Sequence, residues 1–258
     1  MDELVRYRVD DARGVATITL DSPGNRNALS AVLRGQFRDA FDRVAVDDAA
    51  RVVVLDHTGP VFCAGMDLKE SAVAAPGTEG VRELPGLLQR VARCPKPVVA
   101  RAAGPARAGG VGILASADIA VAVSAATFAF SEVRIGLVPA VITVPVLARM
   151  SPVAARELLL TGSVFGAARA LDSGLLNAIA EPDTLDQVVG GYVDALLLGG
   201  PTALARTKSL LSEGTDDSDE RYRALLELSA SQFANGEARE GARAFAEKRP
   251  PAWLAGQR

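Results

Sequence analysis

Short apolar segments with strand character alternate with segments of helical periodicity over the first 140 residues of the chain. Predicted strands cover residues 14–21, 51–56, 96–104, 117–123 and 126–132. Predicted helices follow the first strand from Ser30, precede the third strand over residues 81–93, and follow the third strand from Gly109. A chain that alternates strands and helices in this order is typical of an α/β fold built from right-handed crossovers.

The helical segments carry their own start and stop signals. Ser30 is predicted to cap the first long helix, whose apolar face consists of Leu33, Phe37, Ala40, Phe41 and Val44. Pro85 is expected to strain the 81–93 helix, and residues 72–80 are expected to form a mobile loop. From residue 201 the pattern is helical, with the acidic segment 216–220 at a helix start. These features predict a core over residues 1–195 and a helical segment over 196–258.

Composition excludes several classes of function. The net charge is −3, and the absence of a basic run argues against a nucleic-acid partner. No apolar stretch approaches the roughly 18 residues that a membrane span requires, so no membrane partner is expected. With only Cys63 and Cys94, a disulfide framework is not expected, and we predict a cytoplasmic protein with two buried thiols.

The single histidine, His57, limits the chemistry further. One imidazole cannot build a clustered zinc site, so no metal is expected. No G-x-S-x-G segment accompanies it, and its place at the end of a predicted strand favours a structural role. Acid–base chemistry therefore falls to a carboxylate.

Two glycine-rich bends each lead from a strand into a helix. "GPARAGGVGILASADIA" covers residues 104–120, and "VFCAGMDLKE" covers residues 61–70. Neither fits a phosphate-binding loop, because the P-loop lysine and the dinucleotide-binding glycine spacing are both missing. Bare backbone at a helix start can present N–H groups to a developing negative oxygen, or it can serve close packing of the helix on the strand. Two such bends together can supply an oxyanion hole.

Four segments in register resemble the crotonase, or enoyl-CoA hydratase/isomerase, superfamily. They are "FCAGMDLKE", "KPVVARAAGPARAGGVGILASADIAVA", "FAFSEVRIGLVP" and "LTGSVFGAARALDSGLLNAIAEP". The resemblance runs from about residue 4 to residue 250. It implies a spiral of repeated ββα units, with C-terminal helices that mediate homotrimers or dimers of trimers.

The resemblance also implies a substrate, which is a coenzyme A thioester, and no separate cofactor. On the matching positions the backbone N–H groups of Ala64 and Gly109 would hold the thioester oxygen. The implied contacts to the substrate fall on Arg26, Ala28, Met66, Asp67, Leu68, Phe245 and Lys248. Arg26 and Lys248 suit phosphates, although solvated surface charge is the alternative for both. The segments at 72–80 and 81–93 are expected to shape the acyl pocket.

The chain departs from the best-known hydratases of this family at one catalytic position. Those enzymes carry a glutamate three residues after the oxyanion-hole glycine, and here that position is Gly112. The second family glutamate matches Glu132, whose pKa partial burial is expected to raise. Arg107 is also unusual: it either meets a carboxylated acyl group, as in members similar to methylglutaconyl-CoA hydratase, or faces solvent.

Three functions remain open at this point. The first is an enoyl-CoA hydratase that uses an oxyanion hole and Glu132, with a branched or carboxylated acyl group as one alternative for its substrate. The second is an enoyl-CoA isomerase, because one carboxylate suffices to move a proton between two carbons. The third is an acyl-CoA-binding protein with weak catalysis.

Overall fold

The structure is a computed structural model that describes residues 2–73, 80–212, 226, 231 and 236–254. Most of the predicted mobile loop, residues 74–79, and the acidic segment 216–220 lie outside these described residues. The described strands are β1 (Val5–Asp10), β2 (Val15–Leu20), β3 (Val52–His57), β4 (Val98–Ala102), β5 (Ala106–Arg107), β6 (Ile119–Val123), β7 (Thr127–Ala129), β8 (Phe165–Gly166) and β9 (Ala178–Ala180).

The helices complete the set of described elements. They are α1 (Ala31–Val46), α2 (Leu68–Val73), α3 (Leu84–Arg93), α4 (Gly109–Ser116), α5 (Thr143–Arg149), α6 (Pro152–Thr161), α7 (Ala167–Asp172), α8 (Leu185–Leu197), α9 (Pro201–Ser212) and α10 (Gly236–Ala246). Short 3-10 helices cover Pro23–Asn25, Gly80–Glu83, Ser131–Ile135 and Ala252–Leu254.

The main sheet has six strands in the order β1-β2-β3-β4-β6-β9. Only β1 and β2 pair antiparallel, and every later neighbour is parallel. The steps from β2 to β3, β3 to β4 and β4 to β6 each contain at least one helix, which is the crossover pattern that the sequence predicts.

A second layer follows the same spiral. Leu29 bridges Met66, Cys63 bridges Ala106, and β5 pairs with β7, all in parallel register. Each turn therefore adds one strand to the main sheet and one short extended segment to the second layer before its helix. The chain is an α/β spiral of ββα units, as the resemblance implies, and the second-layer segments lead directly into α1, α2 and α4.

Helix α1 shows why the local sequence folds as it does. The Ser30 side chain accepts a hydrogen bond from the Leu33 N–H at 3.4 Å, so the predicted cap is confirmed. All five residues of the predicted apolar face are buried. Both thiols are also buried and free, as predicted, and burial raises the pKa of Cys63 to about 12.

Several local predictions are wrong, each for an identifiable reason. Pro85 does not strain a helix interior, because α3 begins at Leu84 and proline is tolerated in a first turn. The strand expected at 126–132 ends at Ala129, and Ser131–Ile135 is a 3-10 helix instead. Strands β1, β5, β8 and β9 were not predicted; the last three are only two or three residues long, too short for a periodic pattern.

The C-terminal elements dock through polar contacts to backbone. The Arg51 guanidinium donates to the carbonyl oxygens of Leu197, Gly199 and Trp253. The Glu237 carboxylate of α10 accepts from the first N–H groups of α9. The predicted boundary near residue 195 falls inside α8 and stays a prediction. Among the described helices none alone is long and apolar enough to cross a membrane, and only the bent pair Leu185–Leu197 and Pro201–Leu211 passes that test.

Candidate active site

The two glycine-rich bends meet, and they do so backbone against backbone. Gly65 has φ +88°, and a Cβ atom there would lie 3.1 Å from the Cβ of Ala108 and 3.6 Å from the backbone nitrogen of Gly109. A Cβ atom at Gly110 would lie 2.6 Å from the carbonyl oxygen of Cys63. Close packing therefore accounts for the small residues at these positions, because no side chain fits there.

Each bend also presents, at the cavity, a backbone N–H for which no acceptor is found in the described part of the chain. One is Gly109, the first residue of α4, where a helix leaves its donors without intrahelical partners. The other is Met66, whose bridge to Leu29 is made by the Leu29 N–H donating to the Gly65 oxygen at 2.8 Å. Both residues line the same cavity.

The Ala64 N–H cannot be one of these donors, and that prediction is wrong. It donates to the carbonyl oxygen of Arg26 at 3.1 Å and so holds the Arg26 turn on the second bend. The free amide of this bend lies two residues further on, at Met66. The sequence motif predicts which bend carries a free N–H donor. It does not predict which residue of the bend supplies that donor, because the direction of each N–H depends on the pairing of the second-layer segments.

Glu132 supplies the carboxylate. It lies in the first turn of the 3-10 helix that follows β7, and its Oε2 atom is buried without a hydrogen-bond partner in the described residues. Burial raises the pKa of this carboxyl above its ordinary value, as expected. Leaving a buried carboxylate oxygen without a hydrogen-bond partner is energetically costly, and an oxygen in this environment is available to accept a proton.

A cavity of about 420 Å³ joins the free amides to Glu132. As far as the described residues form it, its wall is apolar apart from Ser131, Glu132 and exposed backbone, and none of these lining side chains is an arginine or a lysine. The predicted site residues that line it are Ala64, Met66, Leu68, Gly109 and Glu132. Val81 and Leu84 also line it, in agreement with the prediction that the 81–93 segment shapes the pocket. The apolar run after Glu132 is a sequence signal for the remaining wall residues, which were not predicted: Ile135, Leu137, Val138, Val141 and Ile142.

Ile142 explains why residue 112 is glycine. A Cβ atom at Gly112 would lie 2.6 Å from Cγ2 of Ile142 and 3.5 Å from Cδ2 of Leu88. Ile142 is buried, so it fills the space that a residue-112 side chain needs. The wall that carries a glutamate in the two-glutamate enzymes is therefore apolar here.

Three of the other predicted contacts lie off the cavity. Arg26 is exposed with φ +60°, and Ala28 is buried behind it in a turn that the Asn27 side chain ties to Thr58 and Val61. Asp67 caps α2, because its Oδ1 accepts from the N–H groups of Lys69 and Glu70. These residues border the Met66 bend without lining the acyl cavity.

Phe245 and Lys248 are not brought to the cavity of their own chain. Both are exposed, Phe245 at 88% of its surface, and they lie at the end of α10. The Lys248 N–H donates to the Phe245 oxygen at 3.2 Å, which closes this helix end. The single chain does not assemble the full set of predicted contacts.

Arg107 takes neither of the two expected positions. Its guanidinium donates to the carbonyl oxygen of Thr127 at 2.6 Å, to the Thr127 hydroxyl at 2.9 Å and to the Ala106 oxygen. Burial lowers its pKa from the ordinary arginine value. The side chain is half-buried against β7 and does not line the cavity, so it meets no acyl group there.

The fold and site together define an α/β spiral with an apolar cavity, two free amides and one buried carboxylate. The enoyl-CoA hydratase/isomerase family model matches residues 10–256, and the chain belongs to this family. An enoyl-CoA hydratase of Mycobacterium tuberculosis is 35% identical over 242 residues, which cover 91% of each chain.

Solved structures agree with this assignment. An enoyl-CoA hydratase of Mycobacterium smegmatis superposes with a TM-score of 0.92 at 33% identity, over 98% of this chain and all of that chain. One from Mycobacterium avium is 41% identical with a TM-score of 0.73, over the same shares of the two chains.

Proposed function

We propose that the protein is an enoyl-CoA hydratase that adds water across the α,β double bond of a 2-enoyl-CoA. The observation that carries the proposal is that Met66 and Gly109, whose amides have no acceptor in the described residues, line the same apolar cavity as Glu132, whose Oε2 atom has no partner there. The names of the related hydratases support the same reaction.

The two amides polarise the thioester. The carbonyl oxygen accepts hydrogen bonds from Met66 and Gly109, so the negative charge that develops on it during addition is stabilised. One such donor is worth about 3 to 4 kcal/mol in the transition state. Polarisation draws electrons toward the oxygen and makes the β-carbon of the enoyl group electrophilic.

Glu132 then performs both proton transfers. As a carboxylate it accepts a proton from water while the water oxygen bonds to the β-carbon. The electron pair of the double bond moves onto the thioester as an enolate, and the protonated Glu132 returns a proton to the α-carbon. Water adds in full, and Glu132 ends ionised as it began. The raised pKa suits a group that must both take and give a proton.

The cavity wall supports an apolar acyl group rather than a carboxylated one. No cation among the described residues lines the wall to pair with a second carboxylate, and Arg107 is held on Thr127. A carboxylated acyl chain would also lie close to Glu132, and like charges disfavour that arrangement.

The coenzyme A portion and the assembly belong to the same proposal. Arg26 is an exposed cation beside the Met66 bend and suits a phosphate. Lys248 and Phe245 are exposed away from their own cavity, so we propose that they reach the site of a neighbouring copy in a trimer or a dimer of trimers. The exposed apolar residues Val138, Val144 and Leu147 are candidates for a covered surface.

The test is hydration of crotonyl-CoA, followed by loss of the enoyl-thioester absorbance and by detection of 3-hydroxybutyryl-CoA. Glu132→Gln should lower kcat by about 10² to 10⁴, since glutamine cannot accept the proton. Glu157→Gln, at an exposed glutamate of α6 paired with Arg169, is the matched control and should retain activity. A Glu132→Gln variant as active as the wild type would contradict the mechanism.

The isomerase is the second candidate, because with Gly112 in place of a glutamate the described residues that line the cavity include one carboxylate, Glu132. The same assay run in D₂O separates the two reactions. Deuterium uptake with a shifted double bond and no hydroxyacyl product would identify an isomerase. Tight binding of acyl-CoA without either product would identify a binding protein.

A further inference from the structure

A buried arginine joins three separate parts of the cavity wall. Arg34 projects from the first turn of α1, and its side chain is only 3% exposed. Its guanidinium donates to Glu70 Oε1 at 3.1 Å, and to Glu83 Oε1 and Oε2 at 3.3 and 3.4 Å. Glu70 and Glu83 lie on opposite sides of residues 74–79, so one guanidinium holds both flanks of that segment.

These contacts reach the cavity through short stretches of chain. Glu70 follows Leu68 by two residues, and Glu83 stands between Val81 and Leu84. Leu68, Val81 and Leu84 all line the cavity. Fixing the two carboxylates therefore fixes the backbone that places these three apolar side chains.

The same guanidinium also touches the bend that carries a free amide. Arg34 donates to the Leu29 carbonyl oxygen at 2.7 Å, while the Leu29 N–H donates to Gly65 beside Met66. The Leu29 side chain packs under the other bend, that of residues 104–120, where a Cβ atom at Gly109 would lie 3.2 Å from it. Leu29 thus connects the arginine with both glycine-rich bends.

The surroundings are built around an arginine at this position. A Cβ atom at Gly80 would lie 2.3 Å from one guanidinium nitrogen of Arg34, so the backbone of Gly80 rests directly on the guanidinium that Glu70, Glu83 and the Leu29 oxygen hold in place. Glu70 Oε2 also accepts from the Ala31 N–H at 2.7 Å, which caps α1. A planar fork of donors can satisfy two carboxylates and a carbonyl at once, and a lysine ammonium cannot reproduce that geometry.

We infer that Arg34 is a positioning residue for substrate specificity: by clamping Glu70 and Glu83 it sets the wall of Leu68, Val81 and Leu84 against the acyl chain. This inference rests on the proposed function for its substrate. A ten-carbon acyl chain touches more of this wall than a four-carbon chain does. Loosening the wall therefore weakens binding of the longer chain more than that of the shorter one.

The experiment compares two dissociation constants, for decanoyl-CoA and butyryl-CoA, by isothermal titration calorimetry on the full chain. Arg34→Met should raise the decanoyl-to-butyryl Kd ratio about tenfold, and Arg34→Lys should raise it by less. Arg90→Met is the matched control. Arg90 also pairs α1 with α3, through Asp42, but neither Arg90 nor Asp42 is next to a residue that lines the cavity, so its ratio should stay within twofold of the wild type.

The Kd ratio is independent of the folded fraction, so a merely structural role would leave it unchanged. An unchanged ratio in folded Arg34→Met protein would overturn the inference. Should Arg34→Met fail to fold, Glu83→Gln replaces it, with about a threefold rise expected and an unchanged ratio overturning the inference. Binding needs no turnover, so a shifted ratio in a protein that hydrates nothing would contradict the proposed reaction while supporting the clamp.

Discussion

Alanine at position 112 tests whether Ile142 fills the space beside Gly112. Alanine in a helix interior normally stabilises over glycine by about 0.5 to 1 kcal/mol. At Gly112 the new methyl group would lie 2.6 Å from Cγ2 of Ile142, and overpacking of this kind typically costs about 1 to 3 kcal/mol. Gly112→Ala should therefore destabilise the protein by up to about 2 kcal/mol.

Removing Ile142 should reverse the sign of that effect. Ile142→Ala leaves a cavity and costs about 2 to 5 kcal/mol alone. In that background the Cγ2 contact is gone and only the Cβ atom of residue 142 stays close, at 3.2 Å, so Gly112→Ala should stabilise by about 0.5 to 1 kcal/mol. The coupling between the two positions is then about 1 to 3 kcal/mol.

Urea unfolding of the two single variants, the double variant and the wild type measures this coupling. Gly190→Ala in α8 is the control, because no heavy atom lies within 4 Å of a Cβ atom there, and it should stabilise in either background. A Gly112→Ala variant stabilised as much as Gly190→Ala would refute the reasoning, since it would show that the wall has room for a side chain.

Three further predictions follow from other contacts. Because burial raises the pKa of Glu132, the folded state holds the carboxyl proton more tightly than the unfolded state does. The stability of the wild type therefore falls as pH rises through the raised pKa. Glu132→Gln does not titrate, so in thermal unfolding it should gain stability relative to the wild type between pH 4 and pH 7. Arg107→Met should leave the preference for crotonyl-CoA over 3-methylglutaconyl-CoA unchanged in kcat/KM, because Thr127 holds that side chain off the cavity. Lys208→Met breaks the ion pair with Asp118 and should lower the free energy of unfolding in urea by about 3 kcal/mol. This value is at the low end of the range for a broken buried pair, because Asp118 is one-third exposed. The hydration activity of the variant should be unchanged.

Local patterns were sufficient to predict the long elements and the fold class. The α1 face and its Ser30 cap are confirmed because 3.6-residue periodicity and capping chemistry are local properties. The start of α4 at Gly109 is confirmed for the same reason. The two-residue strands β5 and β8 form only because each pairs with β7, and no local sequence pattern predicts that pairing.

The site residues also divide into those that the motifs predict and those that depend on contacts between distant parts of the chain. The motif match places Glu132 and Gly109 on the cavity, but it assigned the other donor to Ala64, whose N–H the Arg26 carbonyl accepts. That hydrogen bond joins residues far apart in sequence. The filling of the space at Gly112 by Ile142, 30 positions later, depends equally on tertiary packing.

A crystal structure with butyryl-CoA bound tests the central claim most directly, because the saturated thioester binds without reacting. We expect the thioester oxygen within about 2.7 to 3.2 Å of both the Met66 and the Gly109 nitrogen, with the α-carbon facing Glu132. A thioester oxygen in contact with neither amide, or an acyl chain outside the cavity that Glu132 lines, would contradict the account.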